Sequence, residues 1–502
     1  MSEQTIRKVV IVGGGTAGWV AAAALAKVLG KIIDIELVES EEIGTVGVGE
    51  ATIPQLQILN RVLELDENDF VARTNGTFKL GIQFNDWGDI GESYLHTFGT
   101  TGVHLQGVEF HHYFLRHKQA GGSGRLWDYS LHERAAYQHK FARMDKVGTT
   151  SMTGLAYAFH FDASLYAKLL REHAEGNGAR RTEGKVTKVN IDPQSGDITS
   201  ITLENGAAVS GDLFIDCTGF RSLLLGQAMG VGFEDWSHWL PVNRAIAVGC
   251  ERTEPLLPYT KSSARPAGWQ WRIPLQHRTG NGHVFCDDYM SVDEATSILL
   301  GSLDGAQLGD PKVLKFTTGR REKLWAKNCI AMGLASGFME PLESTSIHMV
   351  QSDVNRLISL FPRDGINIAD VDEYNRQAAY ETERIRDFLI LHYKLTRRAD
   401  TPFWKYVRDM DVPETLTEKI ALFQSHGRVF RDREDLFKES SWTQVMMGQG
   451  PEPKSHNIMA DRISDAQLAE FLNNIGSIVK QATDRLPDHA VFIADQCAAK
   501  MD

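Results

Sequence analysis

Behind Lys8 the chain is apolar from Val9 to Val12 and then breaks into Gly13-Gly-Gly-Thr-Ala-Gly18. A short, wholly apolar run bounded by glycine predicts a strand buried on both faces, here Lys8–Val12. The alanine-rich stretch Gly18–Leu29 predicts a helix, and alternation at Ile33, Ile35 and Leu37 predicts a second strand over Ile33–Glu39. The uncharged run from Val9 to Ala26, preceded by Arg7 and Lys8, mimics a signal peptide or a membrane span. Its glycines and the alternation that follows favour strand, turn and helix, and no other stretch is long and apolar enough to span a bilayer.

Further on, Ala163–His173 predicts a helix. Strands are expected at Lys185–Ile191, Ile198–Leu203, Gly211–Asp216 and Cys329–Gly333, and Arg244 to Phe285 reads as β-rich. Ser346–Phe361 opens another helix. Between Gly81 and Thr150 the chain is rich in glycine, histidine and aromatics with little periodicity, which predicts long loops around a site. After Asp370 the character changes. Asp372–Arg397 reads as one amphipathic helix with Tyr380, Phe388, Leu391 and Leu395 near one stripe. Ser464-Asp-Ala-Gln467 is a capping box that starts a helix carrying Leu468, Phe471, Leu472, Ile475 and Val479. The expected fold is α/β: a dinucleotide-binding core with an interleaved β-rich substrate region over residues 1–368. A mostly helical region, 369–502, packs on it without a linker.

Composition narrows the class. The 502 residues carry a net charge of -12, which argues against nucleic acid as a partner. The five cysteines are widely spaced and form no CxxC, which fits a reducing, cytoplasmic setting without disulfides or zinc. His104, His111, His112 and His117 invite a metal, but their spacing matches no strong ligand pattern, and no metal is expected. No membrane partner is expected, and a homodimer stays an option.

Gly13-Gly-Gly-Thr-Ala-Gly18 contains GxGxxG between a strand and a helix, the arrangement that binds a dinucleotide. Gly13 permits the turn, Gly15 admits a pyrophosphate, and Gly18 allows close helix packing. Glu39, at the end of the second strand, is placed to hold a ribose hydroxyl. Gly211-Asp-Leu-Phe-Ile-Asp-Cys-Thr-Gly219 looks like the second flavin-contacting segment of aromatic-hydroxylase-type flavoproteins, with Asp216 at its turn. Both motifs together favour FAD.

Three more segments resemble the flavin-dependent tryptophan halogenase family. They are Gly47-Val-Gly-Glu-Ala-Thr-Ile-Pro54, Trp269-Gln-Trp-Arg-Ile-Pro274 (the WxWxIP signature) and Pro341-Leu-Glu-Ser-Thr-Ser346, which follows Gly333-Leu334. Phe78-Lys79, His96-Thr-Phe98-Gly99 and Asp400-Thr-Pro-Phe-Trp404 match as well, so the resemblance covers roughly residues 5 to 410. It implies an FADH2-dependent halogenase that uses oxygen and chloride or bromide on an electron-rich arene such as an indole, with reduced flavin supplied by a separate reductase. It implies Lys79 and Glu343 as catalytic residues and a halide site at the backbone of Thr345 and Ser346, where family members usually have glycine at the latter. Flavin contacts are implied at Gly14, Thr16, Ala17, Ser40, Ile43, Glu50, Ala51, Val186, Leu334 and Ile347. His96 and Phe98 are implied to sandwich the substrate ring.

The residue types make chemical sense in those roles. Hypohalous acid is neutral and diffusible, so something must hold it beside the arene. A lysine ammonium can donate a hydrogen bond to it, or the free amine can form a haloamine. A carboxylate can orient it and then take the proton from the arenium intermediate. Taken alone, Lys79 would read as a solvated lysine and Glu343 as a helix N-terminal acid. Trp269 and Trp271 fall on one face of a strand and are expected to wall flavin from substrate, though core aromatics share that pattern. Tryptophan-specific members carry a tyrosine-rich stretch that clamps the amino-acid group. Here Gly427-Arg-Val-Phe-Arg-Asp-Arg-Glu-Asp-Leu-Phe437 lacks tyrosine, so the expected substrate is an indole without a free amino-acid group. The alternatives are a flavin-dependent aromatic monooxygenase and a non-catalytic flavin-binding protein. Only one dinucleotide fingerprint is present, so none is left for a nicotinamide.

Overall fold

The strand Lys8–Val12 lies inside a six-stranded sheet because both its faces are apolar. The strand order is Trp325–Ala326, Cys329–Ala331, Leu213–Asp216, Lys8–Val12, Asp34–Glu39 and Arg180–Glu183, parallel except at the Trp325 edge. Val12 pairs with Asp216 on one side and Val38 on the other. The computed structural model describes residues 5–42, 49–431 and 435–500. The glycine turn leaves the first strand at Gly13, whose φ of +114° is open to glycine; a Cβ there would meet Cys217 O at 2.2 Å. The helix then runs over Thr16–Leu29, slightly earlier than expected, because Gly15 already serves as its N-cap. The second strand is buried on both faces rather than alternating. Glu36 is tolerated inside because Lys8, Arg180 and Thr182 all reach its carboxylate.

A seven-stranded, largely antiparallel sheet stands beside the first, with the order Gln307–Lys315, Arg244–Glu251, Arg278–Phe285, Gly268–Pro274, Thr260–Arg265, Gly81–Asn85 and Ser93–Thr97. The last two strands correct the expectation of long loops over Gly81–Thr150, as do the helices Phe110–Gln119 and Leu131–Tyr137. Tyr94, Leu95 and His96 are buried in succession, so no polar/apolar alternation marked that strand. A third sheet of three strands, Gly49–Ala51, Ala158–Asp162 and Thr77–Lys79, carries two of the motif segments.

The C-terminal part is helical. Its longest helix, Ile368–Lys394, starts earlier than the apolar stripe suggested because Asn367 caps it. Ser464 and Gln467 form the expected capping box on helix Asp465–Asp484. No helix of the described residues is long and apolar enough to cross a membrane.

Candidate active site

At the C-terminal ends of the parallel strands lies a cavity of about 720 Å³. Gly13, Gly14, Gly15, Thr16, Ala17, Glu39, Ser40, Glu50, Ala51, Val186, Leu334, Ile347, Trp269, Trp271 and Ser346 all line it. Its size suits a large cofactor. The N-terminus of Thr16–Leu29 opens into it and favours an anion. A Cβ on Gly14 would sit 1.5 Å from Glu39 Oε2, so only glycine leaves that acid beside the turn. Glu39 keeps Arg181 Nε at 2.5 Å on its other oxygen. Gly18 sits behind the cavity, against Gly13 O, as a packing glycine. Glu50 is desolvated there, which raises its carboxyl to about 7. These residues fit FAD: a glycine turn for a pyrophosphate, an acid for a ribose and a broad apolar slot beyond. Ile43 lies outside the described residues.

Asp216 corrects its expected role. It is fully buried and off the cavity. Its carboxylate accepts from the backbone N–H of Thr218, Leu224 and Leu225 and from the Thr218 hydroxyl. It therefore shapes the turn, and its neighbours Cys217, Thr218 and Gly219 face the cavity.

Trp269 and Trp271 do share one wall, with ring centroids 6.1 Å apart. Gly282 on the neighbouring strand makes room: a Cβ there would lie 2.0 Å from the Trp271 ring. The Trp269 indole N–H donates to Glu340, which also accepts from the Tyr393 hydroxyl at 2.7 Å. Burial raises the Glu340 carboxyl to about 7, with both donors pulling it back.

Lys79 ends the strand Thr77–Lys79 and has no exposure. Its Nζ donates to Thr52 O at 3.0 Å and to Ser344 Oγ at 2.8 Å, and stands 5.3 Å over the Phe98 ring. Thr52 follows Glu50-Ala51, and Ser344 sits in the Pro341–Ser346 loop and lines the cavity. Two segments far apart in sequence thus converge on one ammonium. Burial lowers the Lys79 pKa to about 7, against the opposing pull of Glu343.

Glu343 is 1% exposed. His96 Nδ1 donates to its carboxylate at 2.9 Å, and His392 Nε2 lies 2.9 Å from Oε1. Burial pushes this carboxyl up, but the two histidines outweigh it and hold it at about 2. His96 therefore spends one face of its ring edge on Glu343 while its ring meets Phe388 and Phe437, which stack on each other at 3.8 Å. Ser344 takes the left-handed turn, φ +60°, that swings the chain from Glu343 into the helix Ser346–Ser359. Ser346 itself is helical and needs no glycine. Thr345 is that helix's N-cap and lies just behind the cavity wall. The first N–H groups of a helix have no intrahelical acceptor, so this end suits a halide.

Sequence reasoning missed His392, Phe388, Phe437 and Ser344. The first two sit on the long helix with no motif around them, and only the stripe containing Phe388 hinted that this face turns inward. The structure does gather Glu109, His111 and His112, with ligand atoms within 4.8 Å of one another. Asn457 N–H donates to His112 Nδ1, and His112 Nε2 lies 3.5 Å from Glu109.

A flavin cleft joined through one loop to a buried lysine and an ionised carboxylate defines a flavin-dependent halogenase. The chain belongs to the tryptophan halogenase family, whose model matches residues 8–465. It is similar to the flavin-dependent halogenase of Xanthomonas campestris, with 48% identity, a TM-score of 0.96 and 99% of this chain and 100% of that one covered. It is also similar to a flavin-dependent halogenase from a Brevundimonas species, at 43% identity and a TM-score of 0.94 over 99% and 100% of the two chains. The tryptophan 6-halogenase of Streptomyces toxytricini is 35% identical over 84% of each chain. The protein is thus an FADH2-dependent oxidoreductase that acts with oxygen, halide and an aromatic substrate. A separate flavin reductase supplies its reduced flavin.

Proposed function

We propose that this halogenase makes hypohalous acid at the flavin cleft and uses it, beside Lys79 and Glu343, on an indole-type ring that carries no free amino-acid group. The observation that carries this reading is the position of Lys79 Nζ, between Ser344 of the cavity wall and the Phe98 ring. FADH2, held by the glycine turn and Glu39, would supply the two electrons that reduce oxygen to the peroxide level, and that oxygen would oxidise the halide to hypohalous acid. Thr345 and Ser346 hold the halide at the helix N-terminus. Lys79 donates a hydrogen bond to the oxidant and steers its halogen toward the ring. Glu343, already ionised, takes the ring proton as the arenium collapses, and His96 and His392 stabilise the carboxylate before that step. The Trp269 and Trp271 wall keeps the ring away from direct oxygen transfer. Mass spectrometry of an arene panel with FAD, a flavin reductase, NADH and chloride or bromide tests this. A hydroxylated product formed without halide would support an aromatic monooxygenase instead.

With one dinucleotide fingerprint in its sequence the enzyme should not oxidise NADH itself. Purified protein given FAD and NADH, without a reductase, should show only background absorbance loss at 340 nm (the nicotinamide band); fast loss would refute external flavin supply.

Indole should be accepted at least as well as free tryptophan. A buried clamp for ammonium and carboxylate discriminates strongly. The 427–437 segment brings no tyrosine, and Phe430 is 65% exposed; residues 432–434 lie outside the described residues. Ring stacking then remains, worth roughly 0.5–1.5 kcal/mol beyond burial. Halogenation should follow intrinsic reactivity, at C3 of indole. Competition between indole and tryptophan at equal concentration, with NMR of the product, decides this. A preference for tryptophan at one benzo-ring carbon would reveal a clamp.

A further inference from the structure

The lysine strand Thr77–Lys79 is an edge strand. It pairs with Ala158–Asp162 on one side, with Phe78 opposite Phe159. The N–H of Phe78 is not spent on that sheet. It donates to His489 Nε2 at 3.1 Å. His489 has no exposure and opens the last helix, His489–Gln496, beyond the end of the family match at residue 465. Its other nitrogen lies 3.0 Å from Leu256 O, where only an N–H can be favourable. The tautomer is thereby fixed, with Nδ1 donating and Nε2 accepting. Burial lowers the pKa of His489 to about 4, so the acceptor persists across the working range. The same helix sends Phe492 edge-on against both Phe78, at 5.5 Å, and Phe141, at 5.1 Å, while Phe141 stacks on Phe78 at 4.2 Å. On the far side of Lys79, Leu80 N–H donates to Pro258 O at 2.8 Å.

We propose that His489 is a positioning residue for halogen transfer: the helix it opens reaches back to satisfy the backbone donor that precedes Lys79 and so fixes where the ammonium stands. This rests on the assignment of Lys79 as the group that steers the oxidant. An edge strand with an unsatisfied buried N–H would shift or admit water. A displacement near 1 Å at a reacting group is enough to cost a large factor in rate. The flavin cleft makes no contact with His489, so oxidant formation is independent of it.

His489→Gln and His489→Asn separate this role from simple packing. Glutamine places a carbonyl oxygen near the Nε2 position and can accept from Phe78. Asparagine reaches only the Nδ1 position, keeps Leu256 satisfied and leaves Phe78 N–H bare. The measurement is coupling: halogenated arene formed, relative to hypohalous acid caught by a water-soluble 1,3-diketone trap, with FAD affinity followed by fluorescence. The expected result is near wild-type coupling for His489→Gln and about a tenfold lower coupling for His489→Asn, with total oxidant and FAD affinity unchanged in both. Equal coupling in the two variants overturns the proposal. Lys79→Ala measured beside them separates the underlying assignment. If that variant keeps wild-type coupling, the lysine assignment fails; if it collapses while the two His489 variants match, only the role of His489 fails. Should either His489 variant not fold, hydrogen exchange on the wild-type holoenzyme serves: the Phe78 amide must exchange as slowly as the core strand amides, and fast exchange overturns the proposal.

Discussion

Lys79→Ala will abolish arene halogenation, by about 10³-fold or more, while FAD still binds and hypohalous acid still leaves the enzyme. The lysine does not line the flavin cavity; it is reached through Ser344, so removing it leaves the oxidant-forming half intact. What is lost is the group that holds a neutral, diffusible oxidant beside the ring. A trap in solution should then collect the oxidant that wild type delivers to its substrate. Near wild-type halogenation by this variant would show that the assignment of Lys79 is wrong. The pH dependence sharpens the test. Burial brings Lys79 down to about 7, so its ammonium is present below that pH and is lost as pH rises through it. Hydrogen-bond donation by the ammonium therefore predicts halogenation falling on the alkaline side of about pH 7, with oxidant formation unaffected. A fall on the acid side would point to the free amine and a haloamine.

Glu343→Gln will slow halogenation by about 10²-fold and move that pH limb to lower pH, because the Glu343 charge holds the Lys79 ammonium against burial. The carboxylate titrates at about 2, far below any working pH, so it is an anion throughout. The amide is nearly isosteric but cannot take the arenium proton, and it meets the two histidines without charge. Product-forming rate under saturating reduced flavin is the measurement. A variant within a factor of about three of wild type would move the proton acceptor elsewhere, with the His96 and His392 imidazoles, each 2.9 Å from the carboxylate, the neighbours to test.

The parts of the site written in backbone geometry were legible. Gly13 needs its positive φ and Gly14 its clearance from Glu39, and both needs show as glycines in a fixed pattern. Lys79 was not legible by pattern alone: a three-residue strand has too little sequence for periodicity, and a buried cation runs against composition rules. Only the resemblance around it drew attention to it. His392 and Phe437 carry no local signal, because what places them is the tertiary path of the long helix and the segment after it. Asp216 was misassigned because an acid ending a strand looks the same whether it meets a ligand or caps its own loop. The strand Ser93–Thr97 was hidden by burial on both faces, which erases the alternation that marks half-exposed sheets, whereas Gly81–Asn85 does alternate but over only two apolar positions, Ile82 and Phe84.

The loop Pro341–Ser346 turns once, at Ser344, and that single left-handed residue separates two duties. On the proposed roles Glu343 before it serves the ring, while Ser346 after it lines the flavin cavity. Residues this close share every backbone adjustment, so their mutational effects do not add. Halide choice and ring selectivity are therefore not separate dials on this scaffold. A lineage, or an engineer, that alters one through this loop inherits a change in the other. Independent tuning has to come from outside that turn, from Phe388 of the long helix and from Phe437 and Trp442, which pack on it beside His96.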